Sequence, residues 1–377
     1  MGIDRQRLWE LVSLPFRASG EKPRFVRINR AHVSGVSYLN IGEAGVQLLK
    51  DIADSGMKVK VRTTINPGFA ELSEEEARRC DPETLRRQRE VADSFLRMGA
   101  LPTFSCTPYL EDNVPRRGEH LAWAESSAVL FSNTVIGAWT NKESGIGALA
   151  AALIGVTSRT GVHVPEGRLP SVRIEYEGEV SDEVIAGALG YVVGALSRER
   201  IPSIRSEGLL NLGRTMEYLA ALGTSGSMPM AVIEGVSPRT GRTPAKRMST
   251  IRVSEADVRH LLGEFKSDGS PQAILIGCPH AVQIPARTIL SLSESKPDLP
   301  VFVFTSRRAK RKLERAGLLS RLRARGVNVL ADACIMWCGL RALGYRSVIT
   351  NSVKGAHYLR NQMGIDAELR PLSDLAG

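Results

Sequence analysis

Aromatic residues supply only 5% of this 377-residue chain, and it has just five cysteines. The scarcity of aromatics leaves no interleaved basic–aromatic pattern of the kind that stacks on unpaired bases. An odd, scattered set of cysteines argues against a disulfide framework, and no C-x-x-C pair marks a zinc finger or a redox motif. Long hydrophobic runs are missing as well. The longest, IGALAAALIGV (146–156), falls short of the ~20 residues a membrane helix needs. MGIDRQRLWE lacks the apolar core of a signal peptide, and position 6 is not the Ser or Thr that myristoylation of Gly2 requires. No repeat or low-complexity segment is present. The expectation is a cytoplasmic globular protein.

What is there is ordinary in composition and uneven in charge. The chain is 43% hydrophobic and 24% charged, long enough for two or three domains, and carries a net charge of +10. Much of that excess lies in RRAKRKLERAGLLSRLRARG (307–326), where Leu313, Leu318, Leu319 and Leu322 add an apolar stripe. The stretch reads as an amphipathic helix with a solvated basic face. An anionic substrate or an acidic partner subunit would suit the charge equally. Nucleic-acid binding is disfavoured by the absence of any matching motif.

Short apolar runs alternate with longer helical patterns, the signature of an α/β protein. In the last third, AILIG (273–277), VFVFT (301–305), VNVLA (327–331) and SVIT (347–350) read as strands. VQIPARTILSLSES, the basic helix, CIMWCGLRALG and VKGAHYLRNQMG read as the helices that follow them. Such a βαβ series predicts a parallel, doubly wound sheet. FVRIN (25–29), VKVRTT (59–64), PTFS (102–105) and AVLFSN (128–133) read as strands of a first α/β region. VRIEYEG (172–178) and MAVIEGV (230–236) belong to a second. Boundaries are expected near 165 and 265, giving regions 1–165, 166–265 and 266–377.

Open α/β sheets bind ligands at the carboxyl ends of their strands. Cys278 and His280, Thr305 and Ser306, Asp332 and Cys334, and Asn351, Ser352 and Lys354 all fall there. In the first region His32, Ser34, Gly35, Asn66, Cys106 and Asn133 do the same. If Cys106, Cys278 and Cys334 meet, three thiolates without a fourth protein ligand suit an iron–sulfur cluster with one open iron. Such an iron is a Lewis acid for a substrate's hydroxyl and carboxylate, which is dehydratase chemistry. Two plainer readings stand beside it. Each cysteine is a buried hydrophobe, or the thiols hold zinc with His280 or His357. Cys338 would share a helix face with Cys334 and is an alternative ligand, whereas Cys80, in EEEARRCDPETLRRQ, reads as incidental. GIGALA (145–150) has the letters of a dinucleotide turn but not its context, and reads as helix packing. GTSGS (223–227) reads as a loop, and GEHLAWAESS (118–127) as a helix with capping and exposed polar residues or as a source of an acid/base group.

Five stretches together carry a family likeness: SCTPYLEDNVPRRGEHLAWAESSAVLFSNTVIGAWTNKE (105–143), AHVSGVSYLNIGEAG (31–45), IGCPH (276–280), Asp332-Ala333-Cys334 and TNSVKGAHY (350–358). The chain resembles the large subunits of the aconitase X family over most of its length. The resemblance implies an aconitase-like fold, several α/β domains with parallel doubly wound sheets around a central metal-cluster site. It also implies hydro-lyase activity. The family's cysteines fall on Cys106, Cys278 and Cys334, the same three, and a [4Fe–4S] cluster with one open iron is the group implied. His280 is expected to orient substrate or cluster. Asp332-Ala333-Cys334 and Lys142 depart from the family's usual Asp-Thr-Cys and Arg.

The family includes dehydratases of mevalonate 5-phosphate, in archaeal isoprenoid biosynthesis, and of cis-3-hydroxy-L-proline. No swivelling domain follows residue 358, so a separate small subunit and the phosphorylated hydroxy acid are expected, in a heterodimer. By the same analogy the base is a serine on that small subunit. On this side His32, Ser34 and His280 are the catalytic candidates. Gly35, Arg62, Asn133, Thr140, Asn141, Lys142, Asn351, Ser352 and Lys354 are those for binding substrate, with Lys354, Arg62 or Lys142 holding its carboxylate or phosphate. An RNA-binding subunit and a zinc-structured subunit are the readings of other classes.

Overall fold

The computed structural model describes residues 5–72, 79–239, 248–267, 269–296 and 298–376. Residues 1–4, on which the myristoylation reading turned, and 73–78, part of the charged stretch before Cys80, lie outside them.

The first unit is built on β2 (Arg30–Val33), flanked in parallel by β3 (Arg62–Ile65) and β4 (Leu121–Trp123), with a small antiparallel pair of β1 (Phe25–Arg27) and β5 (Val156–Ser158) beside it. In the second, β6 (Val172–Tyr176), β7 (Pro202–Ile204), β8 (Val232–Ile233) and β9 (Ser249–Val253) form a parallel sheet in the order β8-β7-β6-β9. The third contains β10 (Ile274–Ile276), β11 (Val301–Phe304), β12 (Val327–Leu330), β13 (Ser347–Thr350) and β14 (Asp366–Leu369). These pair in parallel in the order β12-β11-β10-β13-β14. Every residue of β10, β11 and β13 is buried, which is why they appear in the sequence as unbroken apolar runs and not as alternation. Where the order reverses, β10 lies beside β13, so the loops that follow them splay apart and leave a crevice.

Several elements differ from expectation. AVLFSN is not a strand: the helix Ser126–Phe131 runs into a wide π-type turn, Ser132–Ile136. A short apolar run carries no period of its own, and the Glu125 side chain decides the matter by accepting the Ser127 amide as an N-cap. LAW (121–123) is strand β4 instead of the helix read across GEHLAWAESS. PTFS forms no strand, and MAVIEGV shrinks to Val232–Ile233. Gly223–Ser225 end the helix Leu212–Ser225 and are not a loop. CIMWCGLRALG is helical only over Gly339–Ala342, so Cys334 and Cys338 share no helix face. The basic helix breaks at Gly317, whose φ is +65°. Its first turns are not merely solvated: Arg307 pairs with Asp332, Lys310 with Glu71, and Lys312 with Glu111.

Candidate active site

Three strand ends of the first unit face three of the third. From the first come Ser34 after β2, Asn66 after β3 and Glu125 after β4. From the third come Cys278 after β10, Cys334 after β12 and Lys354 in the turn after β13. All six line one cleft of about 1160 Å³. Backbone hydrogen bonds lock its two walls together. The Gly68 amide donates to the Asp332 carbonyl at 2.7 Å, the Cys334 amide to the Gly68 carbonyl at 3.1 Å, and the Cys338 amide to the Phe69 carbonyl at 2.9 Å. Cys106 is drawn in by the His280 amide, which donates to its sulfur at 3.3 Å.

Each of these three cysteines follows a left-handed backbone position within two residues: Phe104 at φ +42°, Gly277 at +116° and Asp332 at +63°. Such backbone is costly for Phe and tolerable for Asp, so it persists only where the surroundings hold it. Arg307 holds two of the three. Its guanidinium lies 4.5 Å over the Phe104 ring and forks onto the Asp332 carboxylate. At the third position a side chain is excluded, because a Cβ on Gly277 would sit 2.1 Å from the Phe304 carbonyl oxygen.

The charges are buried and paired. Lys354 Nζ meets Glu125 Oε1 at 2.6 Å, while the Asn66 amide donates to Glu125 Oε2 at 2.7 Å. Burial works to raise the Glu125 pKa, but Lys354 and the hydrogen bonds from Asn66 and Ser127 outweigh it and lower it to about 2. Asn66 Oδ1 in turn faces His32 Nε2 at 2.7 Å, and His32 Nδ1 meets the Thr64 hydroxyl at 2.8 Å. Burial pushes the His32 pKa down to about 4, so the ring is neutral and Nε2 is the donor. His280 is likewise lowered to about 4 by burial; its Nε2 faces the Ala333 carbonyl at 3.1 Å and its Nδ1 has no partner among the described residues. Burial also raises the thiols, Cys106 to about 12, Cys334 to about 11 and Cys278 well above its ordinary value. A bound cation would favour their thiolate forms against this effect.

The other candidates divide. Ser34, Gly35 and Lys142 line the cleft, with Lys142 Nζ donating to the carbonyls of Gly223 and Gly226. Asn351 and Ser352 lie beneath it. Asn351 reaches Glu183, and Ser352 caps the helix Val353–Tyr358 by accepting the Gly355 amide at 3.1 Å. Arg62 is at the amino end of β3, the wrong end of the strand, donating to the Asp112 carbonyl. Asn133, Thr140 and Asn141 are absent from the cleft lining and are spent on one another and on the backbone near Thr160 and Pro229. Cys338 does not offer a free thiol: it is disulfide-bonded to Cys80, against the expectation of no disulfide and of an incidental Cys80. Cys106, Cys278 and Cys334 are free. Among the described residues, no three His, Cys, Asp or Glu side chains gather around one point as ligands of a single ion would. The free thiols share the walls of the cleft.

Family models for the aconitase X first, second and third domains match residues 14–166, 170–263 and 271–376. The chain belongs to the aconitase X family. A solved aconitase X from Thermococcus kodakaraensis, in its holo-form, superimposes with a TM-score of 0.89 at 32% identity, covering 99% of this chain and 94% of that one. The phosphomevalonate dehydratase large subunit of Methanothermobacter thermautotrophicus is 36% identical over 91% of this chain and 87% of its own length. That of Thermococcus kodakarensis is 34% identical over 93% and 89%. A cis-3-hydroxy-L-proline dehydratase of Pseudomonas aeruginosa is 34% identical over 95% of this chain but only 64% of its own length. Aconitase X membership accounts for the fold and suggests an iron–sulfur group. Glu125 lies in GEHLAWAESS, read as a source of capping or acid/base groups, and it does cap the helix that follows. Its pairing with Lys354 and the reach of Arg307 to Phe104 and Asp332 are not legible there, because these partners lie far off in the chain.

Proposed function

We propose that this aconitase X chain is the large, site-bearing subunit of a phosphomevalonate dehydratase. The observation that carries the reading is the gathering of three free, half-buried thiols in one cleft with an excess of cations. Among the described residues, Lys142, Lys354, Arg79 and Arg341 line it against Asp81 and Glu125. Relatives named for phosphomevalonate dehydration are matched over 87%, 89% and 86% of their own length, against 64% for the hydroxyproline dehydratase, which supports that substrate over hydroxyproline.

Cys106, Cys278 and Cys334 would hold a [4Fe–4S] cluster. With one iron open, that group supplies a Lewis acid for the hydroxyl and carboxylate of the substrate. Lys142 has no carboxylate partner among the described residues and takes the substrate's phosphate or carboxylate. Ser34 and Gly35 shape the cleft beside it, and Lys354, fixed by Glu125, keeps a positive charge at the thiols. His32 acts through Asn66, and His280 holds Cys106 and Ala333; both are positioning residues. In the net reaction the C3 hydroxyl and a C2 proton leave as water and a C2–C3 double bond forms, giving trans-anhydromevalonate 5-phosphate. With His32 and Glu125 committed to partners, the proton is taken by a serine of a small swivelling-domain subunit. The cytoplasmic setting and domain boundaries near 165 and 265 belong to the same reading.

The test is anaerobic co-expression with that small subunit, measuring iron, sulfide and dehydration of mevalonate 5-phosphate. Serine at Cys106, Cys278 or Cys334 should lower iron and activity together. An iron-loaded complex that acts on cis-3-hydroxy-L-proline and ignores mevalonate 5-phosphate would overturn the substrate while keeping the chemistry.

A further inference from the structure

A second cavity, of about 930 Å³, shares no lining residue with the thiol cleft. Its volume is that of a small-molecule site. Arg168 is part of its wall and is only 5% exposed. No carboxylate among the described residues pairs with it. Its guanidinium lies 4.7 Å over the Trp139 ring, and two of its nitrogens donate to Asn133, one to Oδ1 at 3.4 Å and one to the carbonyl at 3.1 Å. A buried charge is costly unless an opposite charge meets it, and one ring and two neutral acceptors are partial compensation. Burial lowers the Arg168 pKa to about 10, with no acidic neighbour acting against it.

Two more arginines stand at the mouth. Arg117 and Arg239 are both exposed and both line the cavity, and Arg117 Nη2 donates to the Arg239 backbone carbonyl at 3.0 Å. Gly137 lets them approach: at φ +78°, a Cβ there would press on Pro238 at 3.0 Å and Arg117 at 3.3 Å. Among the described residues, Glu234 is the single acid in the lining. A cationic floor and a cationic rim, separated by room for a molecule, form a receptor for an oxyanion.

We infer that this cavity binds a small organic anion of the phosphate or carboxylate class, its oxyanion on Arg168 and its remainder between Arg117 and Arg239. The same geometry explains why Asn133, Thr140 and Asn141 are not in the cleft. Asn133 accepts from both Arg168 and the Thr140 amide, so these residues build the floor of the second cavity. Binding here is independent of whatever reaction the thiol cleft performs.

The test uses the full chain and inorganic phosphate as probe, in equilibrium dialysis against chloride at matched ionic strength. Arg168→Met keeps the bulk over Trp139 and removes the charge; Arg239→Gln alters only the exposed rim. Both are made in a Lys142→Gln background, which removes the phosphate contact of the other cleft, and each should weaken the phosphate binding that remains there about tenfold or more. Should Arg168→Met misfold, the rim variant decides alone. Unchanged phosphate binding in Arg239→Gln, binding abolished by Lys142→Gln, or uptake that chloride at equal strength removes would each overturn the inference.

Discussion

Glu125 and Lys354 form the one ion pair, among the described residues, that both reaches the thiols and joins the first unit to the third. Lys354→Met would leave a carboxylate buried and alone, which costs about 3–5 kcal/mol. Urea unfolding should show that loss, and adding Glu125→Gln should restore much of it. A double variant no more stable than Lys354→Met would refute the pairing. The sign with pH follows from the lowered Glu125 pKa, about 2 against an ordinary 4.5. Its stabilisation is complete above 4.5 and is lost as pH falls toward 2. Glu125→Gln should therefore show a shallower acid-side fall in melting temperature than the wild type, and parallel curves would contradict it. At this scale the places of Cys278, Cys334 and Lys354 in the cleft were legible, because each comes shortly after a buried apolar strand, whereas Cys106 follows PTFS, which forms none. The pairing of Glu125 was not, for its neighbours Ala124 and Ser126 give no hint of a lysine from another unit.

Among elements, the five-stranded sheet was the most legible, since strands buried on both faces leave short, unbroken apolar runs bounded by turn residues. The Ser126–Phe131 helix was not, because its apolar residues fit either period and a side-chain cap settles the choice. The turn at the end of β10 carries its own prediction. Gly277→Ala must both leave a left-handed backbone and clear the Phe304 carbonyl, which moves Cys278. Iron retained after anaerobic reconstitution should fall while far-UV circular dichroism stays native. Full iron with a native spectrum would show that the turn tolerates a side chain. Arg307→Met should act alike from the opposite wall, freeing the Phe104 and Asp332 turns together. Iron retention equal to wild type would sink that role.

For the molecule as a whole, the Cys80–Cys338 disulfide closes a loop with a sequence separation of 258. By chain entropy a loop of that size is worth roughly 5 kcal/mol. Reductant should lower the melting temperature of the wild type to that of Cys80→Ser, which itself should not respond; a wild type indifferent to reductant would exclude the bond from the stable fold. This pairing was illegible in the sequence, where an odd number of thiols concealed one pair among three that stay free.

The cleft's two walls come from opposite ends of the chain, and that has a consequence for how the protein is made. During synthesis Cys106 emerges and its unit begins to fold long before Cys278 exists, and Lys354, the partner that neutralises Glu125, arrives almost last. Until then an acid and a thiol face a surface that has not been translated. A chain interrupted anywhere between Cys106 and Cys278 therefore carries only one of the three free thiols that line the cleft.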